Sequence, residues 1–345
     1  MKIKVFTLDQ AQNVGAFMQA FAMQEILSAN GHAVSFARMG ESGRGSKVDK
    51  LKKLCRCFLS GGVPYVLFKC RAARKYASVA NRLHRDSAVF DATEHFDAAV
   101  IGSDEVWNVK SDKFRHYPQY FAHDMNAERK IAYAACAGNV TVEDAKAAGI
   151  EFSDFDALSV RDDTTATLVR AMTDKDPVKV CDPTLLLPSP APFIQPITKT
   201  GYILIYSYGL DKKDIASVKR LAKVTGKDLV SVATYNAWCD KNVVADPFEF
   251  LGWLAGADFV VTSTFHGAAL SIKLGKQFAV FPRKSQKLWG LLKDFSLLSR
   301  VVSDVNTPEQ LYHTPIDYET VNGLLEHSRA ASLAYLLNAL EGGNP

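Results

Sequence analysis

The apolar positions of this chain fall into short β-branched runs separated by stretches of helical period. Residues 3–7 read as a strand, and from Phe17 to Leu27 apolar residues recur three and four apart, predicting an amphipathic helix that stops at Asn30-Gly31. Residues 33–36 follow as a second strand, completing a β-α-β opening. The same texture returns with strands at 96–101, 130–137, 156–160 and 178–181, and with helices near 142–148 and from Thr164, the latter capped by Asp162 or Asp163. After a Pro-rich stretch it begins again. Strands are expected at 202–207 and 228–233, a helix at 212–224, and a helix opened by Asp246-Pro247, with Pro at the first helical position. Residues 258–281 then give an apolar run, the polar corner Thr262-Ser263-Thr264, a helix opening on Phe265-His266-Gly267 and a second apolar run. Helices near 288–295, 308–312 and 318–340 finish the chain.

Strand and helix alternation of this kind predicts parallel sheets covered by helices. The segment PSPAPFIQP, residues 188–196, is the best linker. It divides an N-terminal Rossmann-like domain (1–190) from a C-terminal one (197–345), with the last helix in a position to cross back. At 345 residues the chain suits two domains better than one core.

Residues 40–86 break the pattern. Two helical stretches dense in Lys and Arg carry Leu51, Leu54, Phe58 and Leu59, then Val66, Leu67, Phe68 and Tyr76, as apolar faces beside basic ones. Such a pair can lie on an anionic membrane surface. The favoured reading is a solvated helical insertion that guards a cleft.

Composition narrows the class. With 48% hydrophobic and 23% charged residues the chain resembles an ordinary globular protein. A formal charge of +4 does not call for nucleic acid. No run approaches the ~18 apolar residues of a membrane span, and MKIKVFTLDQ lacks the apolar core of a secretory signal, so a cytoplasmic protein is expected. The six cysteines, at 55, 57, 70, 136, 181 and 239, contain no CxxC pair and read as free thiols in a reducing compartment. No metal or resident cofactor is expected.

Candidate chemistry gathers at strand ends, where open α/β sheets bind ligands. Asn13 and Gly15 stand at a helix amino terminus that can hold an anion, unless Gly15 serves only close packing. In Gly102-Ser103-Asp104-Glu105-Val106-Trp107-Asn108, the acids suit sugar hydroxyls and Trp107 offers a flat face for a sugar ring. The alternative is a helix start capped by Ser103, with Asp104 and Glu105 in its first turn. Arg161 is a fork for carboxylate or phosphate, or else a salt-bridge partner of Asp162 and Asp163.

Four segments taken together resemble the polysaccharide pyruvyl transferases. They are Asn13-x-Gly15-Ala16 with Gln19-Ala20-Phe21-Ala22; Ile101-Gly102-Ser103-Asp104-Glu105-Val106-Trp107-Asn108; Ser159-Val160-Arg161-Asp162 with Asp182-Pro183-Thr184; and Thr262-Ser263-Thr264-Phe265-His266-Gly267. The resemblance runs from about residue 3 to 285 and implies a GT-B-like fold, two Rossmann-like domains facing across a cleft. It implies transfer of a pyruvyl group from phosphoenolpyruvate, a co-substrate, onto two hydroxyls of a sugar or lipid-linked oligosaccharide acceptor. Protonating the methylene carbon makes C2 cationic, a hydroxyl attacks, phosphate leaves and a second hydroxyl closes the ketal. By the same resemblance His266 is the acid/base, Arg161 the cation for phosphoenolpyruvate, and Asp104 and Glu105 orient the acceptor. Asn13, Gly15, Ser103, Trp107, Ser263, Thr264 and Gly267 complete the site. Many members carry Arg where this chain has Thr264. Arg283, Lys284 and Lys287 are then the candidates for the missing charge, against a solvated basic turn for at least two of them. The competing readings are a GT-B-type glycosyltransferase using a nucleotide sugar and a non-catalytic glycan-binding protein.

Overall fold

The computed structural model describes residues 1–9, 13–40, 47–111, 117–283 and 285–343, without the side chains of 47–57 and 60. Lys284 therefore lies outside the described residues.

The first sheet takes its strands from the amino-terminal half: β1 (Lys2–Phe6), β2 (Ala33–Phe36), β3 (His95–Ile101), β4 (Asn126–Ala135), β5 (Ala157–Val160) and β6 (Val178–Lys179). They are all parallel, in the order β2-β1-β3-β4-β5-β6. The second sheet holds β7 (Ile203–Tyr206), β8 (Leu229–Val232), β9 (Lys241–Val243), β10 (Phe259–Thr262) and β11 (Phe278–Val280), parallel in the order β11-β10-β7-β8-β9. The chain is thus α/β with two parallel sheets in a GT-B-like arrangement. β9 was not legible beforehand: three residues, Lys-Asn-Val, carry no alternation.

Strand order reverses once in each sheet, between β1 and β3 and between β7 and β10. Open parallel sheets leave a crevice at such a point, because the connections depart to opposite faces. Here the two crevices open onto one cavity lined by Leu8, Asp104, Tyr206 and Ser263 from the ends of those four strands.

The helices are α1 (Val14–Ala29), α2 (Lys47–Ser78), α3 (Val142–Ala147), α4 (Asp163–Met172), α5 (Pro183–Leu186), α6 (Lys212–Thr225), α7 (Pro247–Gly256), α8 (Phe265–Lys273), α9 (Gln286–Asp294), α10 (Pro308–His313) and α11 (Tyr318–Glu341). Caps follow the expected chemistry: Asp246 accepts from Phe248 N and Glu249 N, and Asp162 accepts from Thr165 N. One periodicity reading needs correction. α1 is buried on nearly every face rather than amphipathic, since it is wedged between the domains, with Phe17 and Phe21 set edge-on against Phe248 of α7.

α2 spans both expected helical stretches, which meet at a break. Its backbone leaves helical geometry at Gly61 and Gly62, where Gly62 has φ 65, a value glycine adopts without the steric cost of a Cβ. The far half reaches the second domain. Tyr65 and Phe68 set their rings on Tyr235, at 5.3 and 5.6 Å, and Lys75 pairs with Glu249 of α7. α11 crosses back to the first sheet: Tyr335 Oη donates to Ala132 O at 3.1 Å, and Ser332 Oγ accepts from Cys181 N at 2.9 Å.

Candidate active site

At the amino end of α1, Asn13 accepts from Gly15 N at 2.8 Å and Ala16 N at 3.3 Å. At the amino end of α8, Thr264 Oγ1 accepts from Gly267 N at 2.9 Å. The two helix starts meet. A Cβ on Gly15 would stand 2.0 Å from His266 Nδ1, so glycine there is what lets the imidazole seat against α1. Gly267 is constrained in the same way, since its Cβ would lie 2.1 Å from Thr262 Oγ1. Both partial positive helix ends border the cavity that holds His266.

That cavity, about 380 Å³, is lined by Asn13, Asp104, Glu105, Ser263, Thr264 and His266, with Tyr206, Tyr208 and Lys287. Ser263 is fixed from behind: its Oγ accepts from Tyr208 N and Ser207 Oγ, both at 2.9 Å. Asp104 has φ 68, a left-handed conformation rare outside glycine, held by a parallel bridge to Ala135. The loop 102–108 is therefore an irregular turn, and the helix-cap alternative for Ser103 does not hold.

Behind His266 lies a buried charge network centred on Asp182, the cap of α5. Its Oδ2 accepts from Arg161 Nη1 at 2.6 Å and Ser103 Oγ at 3.1 Å, and stands 3.6 Å from His266 Nε2. Its Oδ1 accepts from Thr184 N and Thr184 Oγ1. Burial opposes the charge on Asp182, but His266 and Arg161 together with these donors hold its carboxyl far below the usual range. Arg161 also lies 3.6 Å from Asp104 and sets its guanidinium 4.3 Å over the Phe265 ring. Among the described residues, His266 Nε2 and Arg161 Nε and Nη2 are buried without a hydrogen-bond partner.

The front of the cavity carries a second cluster. Lys287 Nζ, at the start of α9, stands 2.7 Å from Glu105 and 4.0 Å from Asp104. Burial works against the Asp104 carboxyl, yet Lys287, Arg161 and His266 hold it below its ordinary value; Lys287 and Asn108 do the same for Glu105. Burial would lower the Lys287 ammonium, but Asp104 and Glu105 raise it.

Three expectations are corrected. Trp107 offers no face to a sugar: it is fully buried, donates Nε1–H to Tyr120 O at 2.7 Å and packs on Phe152 and Phe155. Arg283 is drawn away from the cavity by Asp211 and Asp214 at the start of α6, at 3.6 and 3.0 Å. Arg161 pairs with Asp182 and Asp104 rather than with Asp162 and Asp163, and it lines a neighbouring cavity of about 280 Å³ instead of the one holding His266. In the sequence Asp182 stands out only as part of the Asp-Pro-Thr motif; nothing local there signals a charge network that closes through tertiary contacts. Among the described residues no group of three or more His, Cys, Asp or Glu side chains is arranged to hold a metal ion, and no helix is long and apolar enough to cross a membrane.

Solved structures of low sequence identity resemble the chain to differing degrees. A putative UDP-N-acetylglucosamine 2-epimerase from Listeria monocytogenes superposes with TM-score 0.50 at 10% identity, covering 99% of this chain and 96% of that one. A UDP-GlcNAc 2-epimerase from Neisseria meningitidis gives 0.46 at 10% identity, covering 99% and 98%. AviGT4, a glycosyltransferase of avilamycin A biosynthesis, gives 0.47 at 12%, covering 99% and 97%. No curated protein matches at a significant level. The family model described as polysaccharide pyruvyl transferase matches residues 13–285, a span that runs from the Asn13 cap past the His266 corner to the edge of α9, and the chain belongs to that family.

Proposed function

We propose that this transferase moves the pyruvyl group of phosphoenolpyruvate onto two hydroxyls of a sugar, forming a ketal on a surface polysaccharide or its lipid-linked precursor, at the inner face of an anionic membrane. The observation that carries the reading is the meeting of His266, Asp104, Glu105 and Lys287 in one cavity at both strand-order reversals.

His266 is the general acid that delivers a proton to the methylene carbon, in keeping with an imidazole backed by the buried Asp182 carboxylate. The charge that develops at C2 is met by a sugar hydroxyl, and the C2–O bond to phosphate breaks. A second hydroxyl then closes the ketal; one hydroxyl proton restores the acid and the other leaves with phosphate. Asp104 and Glu105, held ionised, accept hydrogen bonds from the sugar hydroxyls. Lys287, with the amino ends of α1 and α8, offers positive charge to the carboxylate and phosphate of the donor. Arg161 then acts behind the reacting groups, fixing Asp182 and Asp104. This division supports a phosphoenolpyruvate donor in a chain with Thr264 at the position where many relatives carry Arg.

The test is phosphate release from phosphoenolpyruvate in the presence of lipid-linked or polymeric glycan acceptors, with mass spectrometry of the product. A pyruvylated glycan that disappears with His266→Ala is the expected result. Stabilisation of the protein by nucleotide sugars but not by phosphoenolpyruvate in thermal melts would overturn it in favour of a glycosyltransferase.

A further inference from the structure

The two sides of the α2 segment have different fates. Its inner side is spent on the second domain, through Phe68 and Tyr65 against Tyr235 and through Lys75 to Glu249. On its outer side Phe58, Leu59, Val63 and Leu67 are 54, 84, 57 and 50% exposed. Single exposed apolar side chains are ordinary on a protein surface. Four within ten residues, grouped around the Gly61-Gly62 break, form a patch that water solvates poorly.

The charge beside the patch has one sign. Residues 50–85 contain ten Lys and Arg and no Asp or Glu. Arg71 and Arg74 are exposed and have no acidic partner among the described residues, while Lys69 sets its ammonium over the Tyr65 ring at 5.5 Å. A basic amphipathic helix without acids and with bulky apolar residues suits the boundary between anionic headgroups and acyl chains. It is the inner side of the helix, with Tyr65 and Tyr76, that neighbours Tyr208 at the cavity of His266.

We propose that this face, Phe58, Leu59, Val63 and Leu67 with Arg71 and Arg74, docks on an anionic lipid bilayer. The docking itself needs no donor or acceptor. That it brings the protein to a lipid-linked acceptor rests on the function proposed above, and the two are separable by experiment.

Full-length protein is sedimented with phosphatidylcholine vesicles and with vesicles containing phosphatidylglycerol, without phosphoenolpyruvate or glycan. Binding to the anionic vesicles alone, weakened by salt, is expected, with a loss of about fivefold for each of Arg71 and Arg74 changed to Gln. Leu59→Ser with Val63→Ser should reduce binding at least tenfold with an unchanged melting temperature, because both side chains face solvent. Absence of binding to anionic vesicles, or binding indifferent to these substitutions, overturns the proposal. So does a sedimentation-velocity result in which Leu59→Ser with Val63→Ser dissolves a dimer and leaves vesicle binding intact, since the face would then serve a second copy. Vesicle binding combined with no reaction of phosphoenolpyruvate would leave the docking standing and reject the function.

Discussion

Gly15 and His266 are in contact across the domain boundary, so close that a Cβ on Gly15 would stand 2.0 Å from Nδ1 and 2.3 Å from Cγ of the imidazole. One belongs to the first helix of the first domain, the other to the corner helix of the second. The position of the imidazole therefore depends on how the two domains seat together, because α1 forms one wall of its place.

Gly15→Ala should consequently act on the chemistry more than on the fold. The methyl cannot share space with the ring, so His266 must turn or α8 must withdraw. A displacement of about 1 Å at a reacting group costs roughly 100-fold in rate, and a fall of that size in phosphate release is expected alongside a modest drop in melting temperature. Steady-state rates and thermal melts of the same preparation check it; wild-type activity in Gly15→Ala would mean that the ring is not held there.

Asp182 should carry more stability than any other single residue of the site. It compensates Arg161 in a setting where both side chains are nearly inaccessible, at 0 and 2% exposure. Asp182→Asn keeps the shape but leaves the guanidinium with Asp104 alone, 3.6 Å away. Breaking a buried pair from one side costs about 3 kcal/mol or more. Ser103→Ala removes one hydrogen bond to the same carboxylate and should cost about 1.5 kcal/mol. Urea unfolding of both variants measures the order, and a larger loss in Ser103→Ala would contradict it.

How much of this was readable beforehand differs by kind of feature. β-branched runs and capping residues act locally, so strands such as β2 and helices such as α7, opened by Asp246-Pro247, are legible from neighbouring residues alone. The corner 262–267 was likewise visible as a polar turn after an apolar run. Trp107 and Arg161 are ambiguous in the sequence for a common reason. Each is a side chain able to serve a ligand or the interior, and the choice is made by distant partners: Phe152 and Phe155 for the indole, Asp182 for the guanidinium. Lys287 is the reverse case. Its sequence neighbours suggest a solvated basic turn, while Glu105, 182 positions away, turns it into the cation of the cavity.

Lys287 and Arg161 can be told apart by what their removal changes. Lys287→Ala should raise the KM for phosphoenolpyruvate about tenfold or more, the worth of a hydrogen bond to a charged group, with little loss of melting temperature. Without that ammonium the carboxyls of Asp104 and Glu105 titrate higher, so the acid limb of the pH-rate profile should move to higher pH. Arg161→Ala should instead lower the melting temperature sharply, by uncovering Asp182. Kinetics across pH and melts on both variants give the comparison; a Lys287→Ala enzyme with unchanged KM and pH profile would remove Lys287 from donor binding.

A last prediction concerns the support beneath the corner helix. Lys273, at the end of α8, donates to Leu185 O at 3.2 Å. Burial, reinforced by the charge of Arg329, lowers its amine from 10.5 to about 8, while Glu326 and Cys181 act weakly the other way. The sign of the effect on stability follows from proton counts. Between about 8 and 10.5 the unfolded chain keeps a proton that the folded one has released, so stability contributed by this group rises with pH across that window. Below about 8 both states hold the proton, and the full cost of burying the charge remains. Lys273→Met should therefore stabilise the protein at neutral pH, on the order of 1 kcal/mol after discounting for partial exposure. The variant should also flatten the rise toward high pH. Urea unfolding of wild type and variant at a series of pH values isolates the difference from the other titrating groups. A difference that stays constant with pH would mean that the Lys273 amine titrates alike in both states.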